Sequence, residues 1–172
     1  GTVTEVYDYL RLLFARIGEP FCPHCGIPIA SQSVQQMTET LLRLPKGTSL
    51  TLFSPIVRGK KGEYKKEMDD LRRNGFVRVR IDGEIRDRSE EIHLDKNKRH
   101  EIEVMVDRLV VKENAEKRIN DSLEIASHLS EGIVKVERAG APPLVFSEKF
   151  SCPDCGFSFS EMTPRMFSFN SP

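Results

Sequence analysis

Apolar residues recur along this chain at two spacings, and the switches between them delimit its elements. From Val3 to Ile17 the apolar positions Val3, Val6, Tyr7, Leu10, Leu13, Phe14 and Ile17 fall three or four apart. That is the repeat of a helix face, and Gly18 and Pro20 stop it. The stretch SQSVQQMTETLLRL (31–44) repeats the pattern through Val34, Met37, Leu41, Leu42 and Leu44, with Ser31 or Ser33 as the cap and PKG as the terminator. Thr48 to Val57 switches to β-forming residues and reads as a strand. GKKGEYKKEMDDLRRNG then predicts a basic loop and a short helix ending at Gly75.

In FVRVRIDGEIRD the period becomes two. Val77, Val79 and Ile81 face one way, and Phe76, Arg78, Arg80 and Asp82 the other. Asp82-Gly83 predicts a tight hairpin turn into a return strand, Glu84 to Asp87. DKNKRHE (95–101) reads as a further hairpin loop, leading to a longer alternating strand from Glu101 to Val111. The segment 114–132 predicts a helix with Ile119, Leu123, Ala126 and Leu129 inward and Gly132 as its stop; GIVKVER and PPLVFSEKF predict two short strands. The order is α-α-β-α-β-β-β-α-β-β. It predicts an α+β fold, an antiparallel, hairpin-paired sheet with packed helices.

Composition narrows the class. The chain has 172 residues, with 38% hydrophobic and 30% charged, as expected of one soluble globular domain with a charged surface. Lys plus Arg and Asp plus Glu are both 26, so net charge gives no reason to expect a polyanion as partner, although a local basic patch still can. No apolar run approaches the ~18 residues of a membrane span, and the first helix carries too many charges for a signal peptide. The chain begins without Met, inside a pattern, and ends at SFNSP; it reads as a piece excised from something larger, in a cytoplasmic protein.

The four cysteines form two copies of one phrase, CPHCG at Cys22/Cys25 and CPDCG at Cys152/Cys155. Each C-x-x-C-G can fold as a knuckle whose backbone N–H groups approach the sulfurs, the half-site of a structural zinc. Free thiols and disulfides are the alternatives, and the absence of a secretory signal argues against the latter. A gap of 126 residues separates Cys25 from Cys152. Two arrangements follow. All four thiolates hold one Zn2+ and clip an inserted domain at its base, or each pair is completed outside this chain. Four thiolates leave no open position, so the metal is structural. His24, inside the first knuckle, is the one spare ligand.

Other motifs carry less. RGKKGEYKK (58–66), with Arg58, Lys60 and Lys61, lacks the order of a phosphate-binding P-loop; it is either a solvated loop or a contact for phosphates or an acidic partner. Arg78, Arg80, Asp82 and Glu84 lie on a mixed-sign strip that suits partner choice. His93, His100 and His128 have no spaced partners, and no catalytic grouping can be assembled.

Four stretches carry a resemblance: GTVTEVYDYLRLLFARIGEPFCPHCG, SPIVRGKKGEYKKEMDDLRRNGFVRVRIDGE, HEIEVMVDRLVV and FSCPDCGFSFSEMTPRMFSFNSP. Together they resemble the UvrA family, the damage-recognition ATPase subunits of the bacterial excinuclease. The resemblance implies residues 1–21 as the end of a first ATP-binding subdomain and 22–31 as the first zinc knuckle. It implies 32–146 as an inserted UvrB-binding domain, and 147–172 as the second knuckle and the start of a signature subdomain. It implies UvrB and the transcription-repair coupling factor as partners, with ATP, damaged DNA and homodimerisation belonging to the parent protein. A further C-x-x-C soon after SFNSP is implied as the usual completion of the later knuckle. Walker A, ABC signature and Walker B motifs are absent from this chain, so no ATPase activity is expected of it. The expected role is protein docking, with Arg58, Lys60, Lys61, Arg78, Arg80, Asp82 and Glu84 as the contact set. A zinc-stabilised module binding nucleic-acid phosphates is the alternative.

Overall fold

The computed structural model of the chain describes residues 4–87, 90, 92–150, 152, 154, 155, 157 and 163–168. Val3 of the first apolar face, Pro153 and Gly156 of the second knuckle, and the closing residues 169–172 lie outside them. The elements run α1 (Thr4–Ile17), α2 (Val34–Leu42), β1 (Ser49–Lys61), α3 (Lys65–Arg73), β2 (Arg78–Ile81), β3 (Glu84–Asp87), β4 (Arg99–Val110), α4 (Glu116–Leu129), β5 (Ile133–Arg138) and β6 (Ala141–Ser147), then a 3-10 turn at Pro164–Phe167. One six-stranded sheet has the order β3-β2-β4-β1-β5-β6, with every pairing antiparallel. The α+β class and the element order agree with the sequence.

Helices cover one face. Met37 and Leu41 of α2 and Ile119, Leu123 and Ala126 of α4 bury against Leu50, Leu52, Leu109, Val134, Val136 and Phe146 of the sheet. Met68 and Leu71 of α3 extend that layer over Val57, Val79, Ile81, Ile102 and Val104. Ser33 caps α2, and Gln36 reaches back to its backbone, a reciprocal capping box. The buried Ser54 hydroxyl donates to the Ala126 carbonyl at 2.7 Å, tying β1 to α4.

A bulge makes this face continuous. Leu52 pairs with Asp107 but Phe53 pairs with Met105, leaving Val106 as an extra residue. The inward positions of β4 therefore change from odd (Leu109) to even (Val104, Ile102). Without the insertion, one register would send half the strand's apolar residues to the other face.

Three details differ from the sequence expectations. β1 does not stop at Val57 but carries Arg58 to Lys61 as strand, opposite Arg99 and His100. β4 pairs with β2 rather than β3, so 95–98 is a crossing turn and not a hairpin loop. β2 begins only at Arg78, so the alternation does not reach Phe76 and Val77: Phe76 packs on the core and Val77 is 49% exposed. Asp82 and Gly83 both have positive φ, 51° and 91°, as the predicted tight turn requires.

α1 is set apart. Phe14 stacks on Phe167 at 5.9 Å, and the Tyr7 hydroxyl donates to the Phe167 carbonyl. Yet Val6, Leu10, Leu13, Phe14 and Ile17 stay exposed. No described helix is long and apolar enough to cross a membrane.

Candidate metal centre and docking face

The two knuckles meet. The Sγ atoms of Cys22, Cys25, Cys152 and Cys155 all lie within 4.8 Å of one another, and Cys22 and Cys155 approach to 3.5 Å. A tetrahedral zinc with Zn–S near ~2.3 Å needs sulfur–sulfur edges of about 3.8 Å, so the cluster fits Zn2+ with small adjustment. Local hydrogen bonds build each half. In the first, Cys22 N–H donates to the Ile27 carbonyl (2.8 Å), Gly26 N–H to the Cys22 carbonyl (2.8 Å), and Cys25 N–H to the Cys22 sulfur (3.4 Å). In the second, Cys152 N–H donates to the Phe157 carbonyl at 2.6 Å. Cys22 and Cys152 are buried among Ile27, Ile29, Phe150 and Phe157, while Cys25 and Cys155 face outward.

The acid–base balance of the thiols is split. Burial opposes ionisation of Cys22, but the N–H groups of Cys25 and His24 and the neighbouring sulfurs outweigh it and bring its pKa down to about 7. Cys25 is pushed up to about 12, first by the Cys155 thiol and then by burial. Four thiols at this distance cannot all ionise without a cation between them, and a divalent metal supplies that charge. His24 stands edge-on to Phe157, at 5.2 Å between ring centroids, and the sulfur cluster does not include it.

The cluster closes the base of the sheet domain. Gln32 N–H donates to the Ser147 carbonyl and the Ser31 hydroxyl to the Glu148 carbonyl, both at 2.7 Å. The chain thus enters and leaves through a paired neck. Arg58 Nη1 reaches the Cys152 carbonyl at 3.4 Å, joining the sheet to the second knuckle.

Among the described residues, no helix covers the opposite face of the sheet, and the second knuckle borders one part of it. At its centre Arg80 lies 3.9 Å above the Phe53 ring. It donates through Nε to Glu103 and through Nη1 to Glu137, each at 2.5 Å, and Lys135 joins Glu103 at 3.0 Å. Burial works against the Arg80 charge, but Glu137 and Glu103 prevail and raise its pKa. Arg80 is therefore committed within the chain. Asp82 is also engaged, accepting from Glu101 N–H and from the His100 ring, each at 2.8 Å. Arg78 is exposed on this face. Glu84 does not join the expected strip: it pairs with Ile81, so it is exposed on the helix side of the hairpin, where it accepts from Arg86 at 2.5 Å. Lys60 and Lys61 lie exposed at the end of β1.

A cavity of about 410 Å³ lies between this face and the second knuckle, with Pro55, Ile133 and Val145 among its apolar lining and Arg58, Glu101 and Asp154 among its charges. The sequence reading missed Glu103, Lys135 and Glu137. The one available signal was alternation placing them on the face of Arg80, and strand order decides which of them touch.

Residues 32–140 match the family model described as the UvrA interaction domain. The whole chain aligns with "UvrABC system protein A" from Halalkalibacterium halodurans (56% identical), Bacillus subtilis (54%) and Listeria innocua (51%). Each alignment covers 100% of this chain and 18% of the relative, so the chain spans less than a fifth of the length of these curated relatives. The matched region holds α2 to α4 and β1 to β5 of the helix-backed sheet, and on that match the chain belongs to the UvrA interaction-domain family.

Proposed function

We infer that the chain is the UvrB-docking part of a UvrA-type damage-recognition ATPase in bacterial nucleotide excision repair. The observation that carries this reading is the sheet face that no described helix covers, within a region matching an interaction domain. Rigid strands present its charges, and ordering them on contact costs little. Residues 32–146 form the docking unit in this reading, and the cysteine cluster with structural Zn2+ holds its neck. Residues 1–21 belong to an adjoining ATP-binding part and 147–172 lead into a signature part. The exposed apolar side of α1 supports that assignment, since such a side favours a covering surface. ATP hydrolysis, damaged-DNA binding, homodimerisation and cytoplasmic location belong to the parent protein, and the transcription-repair coupling factor is a second partner for the same face.

Arg78 is the direct contact, Arg80 and Asp82 hold the strip in shape, Glu84 stands at the hairpin on the helix side of the sheet, and Arg58, Lys60 and Lys61 steer association. In titrations against purified UvrB, Arg78→Ala is expected to weaken binding more than about tenfold, as loss of one member of a desolvated charge pair does. Its melting temperature should not change. Lys60→Ala is expected to act on association rate and salt dependence. Wild-type affinity in Arg78→Ala, with melting unchanged, would move the docking face elsewhere.

A further inference from the structure

The chain is neutral overall, and many of its cations have an acidic partner nearby: Arg80 and Lys135 on Glu103, Arg118 on Asp107, Arg86 on Glu84, Arg73 on Asp70. Other cations have no ion pair among the described residues, and one region brings several of these together. At the far end of β1 and β4 the register sets Lys61 opposite Arg99 and Lys60 opposite His100. The turn that feeds β4 adds Lys96 and Lys98. Two basic segments far apart in sequence thus form one tip.

All five cations are exposed, and among the described residues none has an ion pair or a side-chain hydrogen bond. Three nearby acids are engaged elsewhere, Glu63 with Lys65, Asp82 with His100 and Asp95 with the Asn97 N–H, which leaves, among the described residues, exposed Glu101 as the one carboxylate beside five cations. Like charges directly opposite across two strands repel. Beneath them both ring nitrogens of the buried His100 face acceptors, Asp82 Oδ2 at 2.8 Å and the Asp95 carbonyl at 2.9 Å, which favours the charged imidazolium. A second irregularity in β1, between Val57 and Lys60, contains Gly59 at φ 59°, in the left-handed region.

We propose that this tip binds the phosphodiester backbone of double-stranded DNA. A protein partner would be met by an apolar centre, and these segments expose none. A single strand would be met by an aromatic stacking platform. The one aromatic here, Tyr64, packs on the core, with its hydroxyl donating to the Lys61 carbonyl. Four lysines and one arginine without internal partners match sequence-independent phosphate contact, in which each neutralised phosphate releases counterions. The tip shares Lys60 and Lys61 with the residues assigned to steer UvrB, while Lys96, Lys98 and Arg99 belong to it alone, so variants at those three distinguish the two readings.

The test is fluorescence anisotropy of the zinc-loaded chain with a short labelled duplex at roughly 50 to 200 mM salt. If all five cations engage, log K should fall against log salt with a slope of about −4.5, at about −0.9 per phosphate. The double variant Lys61→Gln/Arg99→Gln should bind at least about tenfold more weakly, with the slope reduced by about 1.8. It removes a cross-strand repulsion, so it should melt at or above the wild-type temperature, which a merely structural role for the pair would not give. Lys96→Gln/Lys98→Gln, which keeps the lysines assigned to UvrB, should also weaken the duplex and leave UvrB affinity unchanged. Unaltered duplex affinity and slope in the folded Lys61→Gln/Arg99→Gln variant would overturn the proposal. So would a polyglutamate peptide that displaces the duplex at equal charge concentration, because the tip would then be a site for an acidic protein.

Discussion

The two faces of the one sheet solve the same problem by different means. On the covered face, Leu50, Leu52, Val134 and Val136 are sealed by the side chains of α2 and α4. On the open face, Phe53 is just as hidden, at 1% exposure, yet no helix lies over it. Its cover is the Arg80 guanidinium, held flat by Glu103 and Glu137. A planar cation spread over a ring and fixed by two carboxylates does there what an apolar helix does on the other side. The lesson is that a strand's polar face can be structural at its centre while remaining available at its margins.

If the covered face depends on filled volume, Leu52→Ala should have the largest effect on stability. It removes a fully buried side chain between β4 and β5, and a loss of about 2–5 kcal/mol is expected in urea unfolding. The open face should respond less. Arg80→Ala exposes Phe53 and leaves Glu137 without its cation, and about 1–3 kcal/mol is expected, most of it recovered when Glu137→Gln is added. A null result for Arg80→Ala would mean that the ring can be covered by other means.

The smallest effect belongs to the sheet end, where His100 bridges Asp82 and Asp95. The hydrogen bond from the His100 ring to Asp82, then that to the Asp95 carbonyl, raise the His100 pKa above its ordinary value. The resulting stabilisation is fully present below the unfolded value of about 6.5 and is lost as pH rises through the higher folded value. Asp82→Asn should lower the His100 midpoint, read by NMR titration, and flatten the pH dependence of melting over that window.

Much of this was legible locally. Ser33 as a cap, Asp82-Gly83 as a tight turn and Gly132 as a stop each act within a few residues, and each stands where the sequence placed it. The cysteine phrases announced a metal site because thiolate pairs at that spacing have few other uses. What the sequence did not show is long-range. Arg58 to Lys61 look like a loop because Gly59 interrupts them and Gly62 follows, yet pairing with Arg99 and His100 holds them as strand. Arg80 looks free because its partners come from β4 and β5, 23 and 57 positions away. The one-residue slip at Val106 has no local signature at all, since it exists only relative to β1.

The neck has a mechanical consequence. Cys22 and Cys152 lie where the chain enters and leaves the sheet domain, and their sulfurs belong to one cluster. A pull applied through the two flanking segments would therefore load the metal–thiolate clasp before it sheared any strand of the sheet. Motion of the surroundings would turn the docking face as a rigid paddle on a short stem, and would not stretch it.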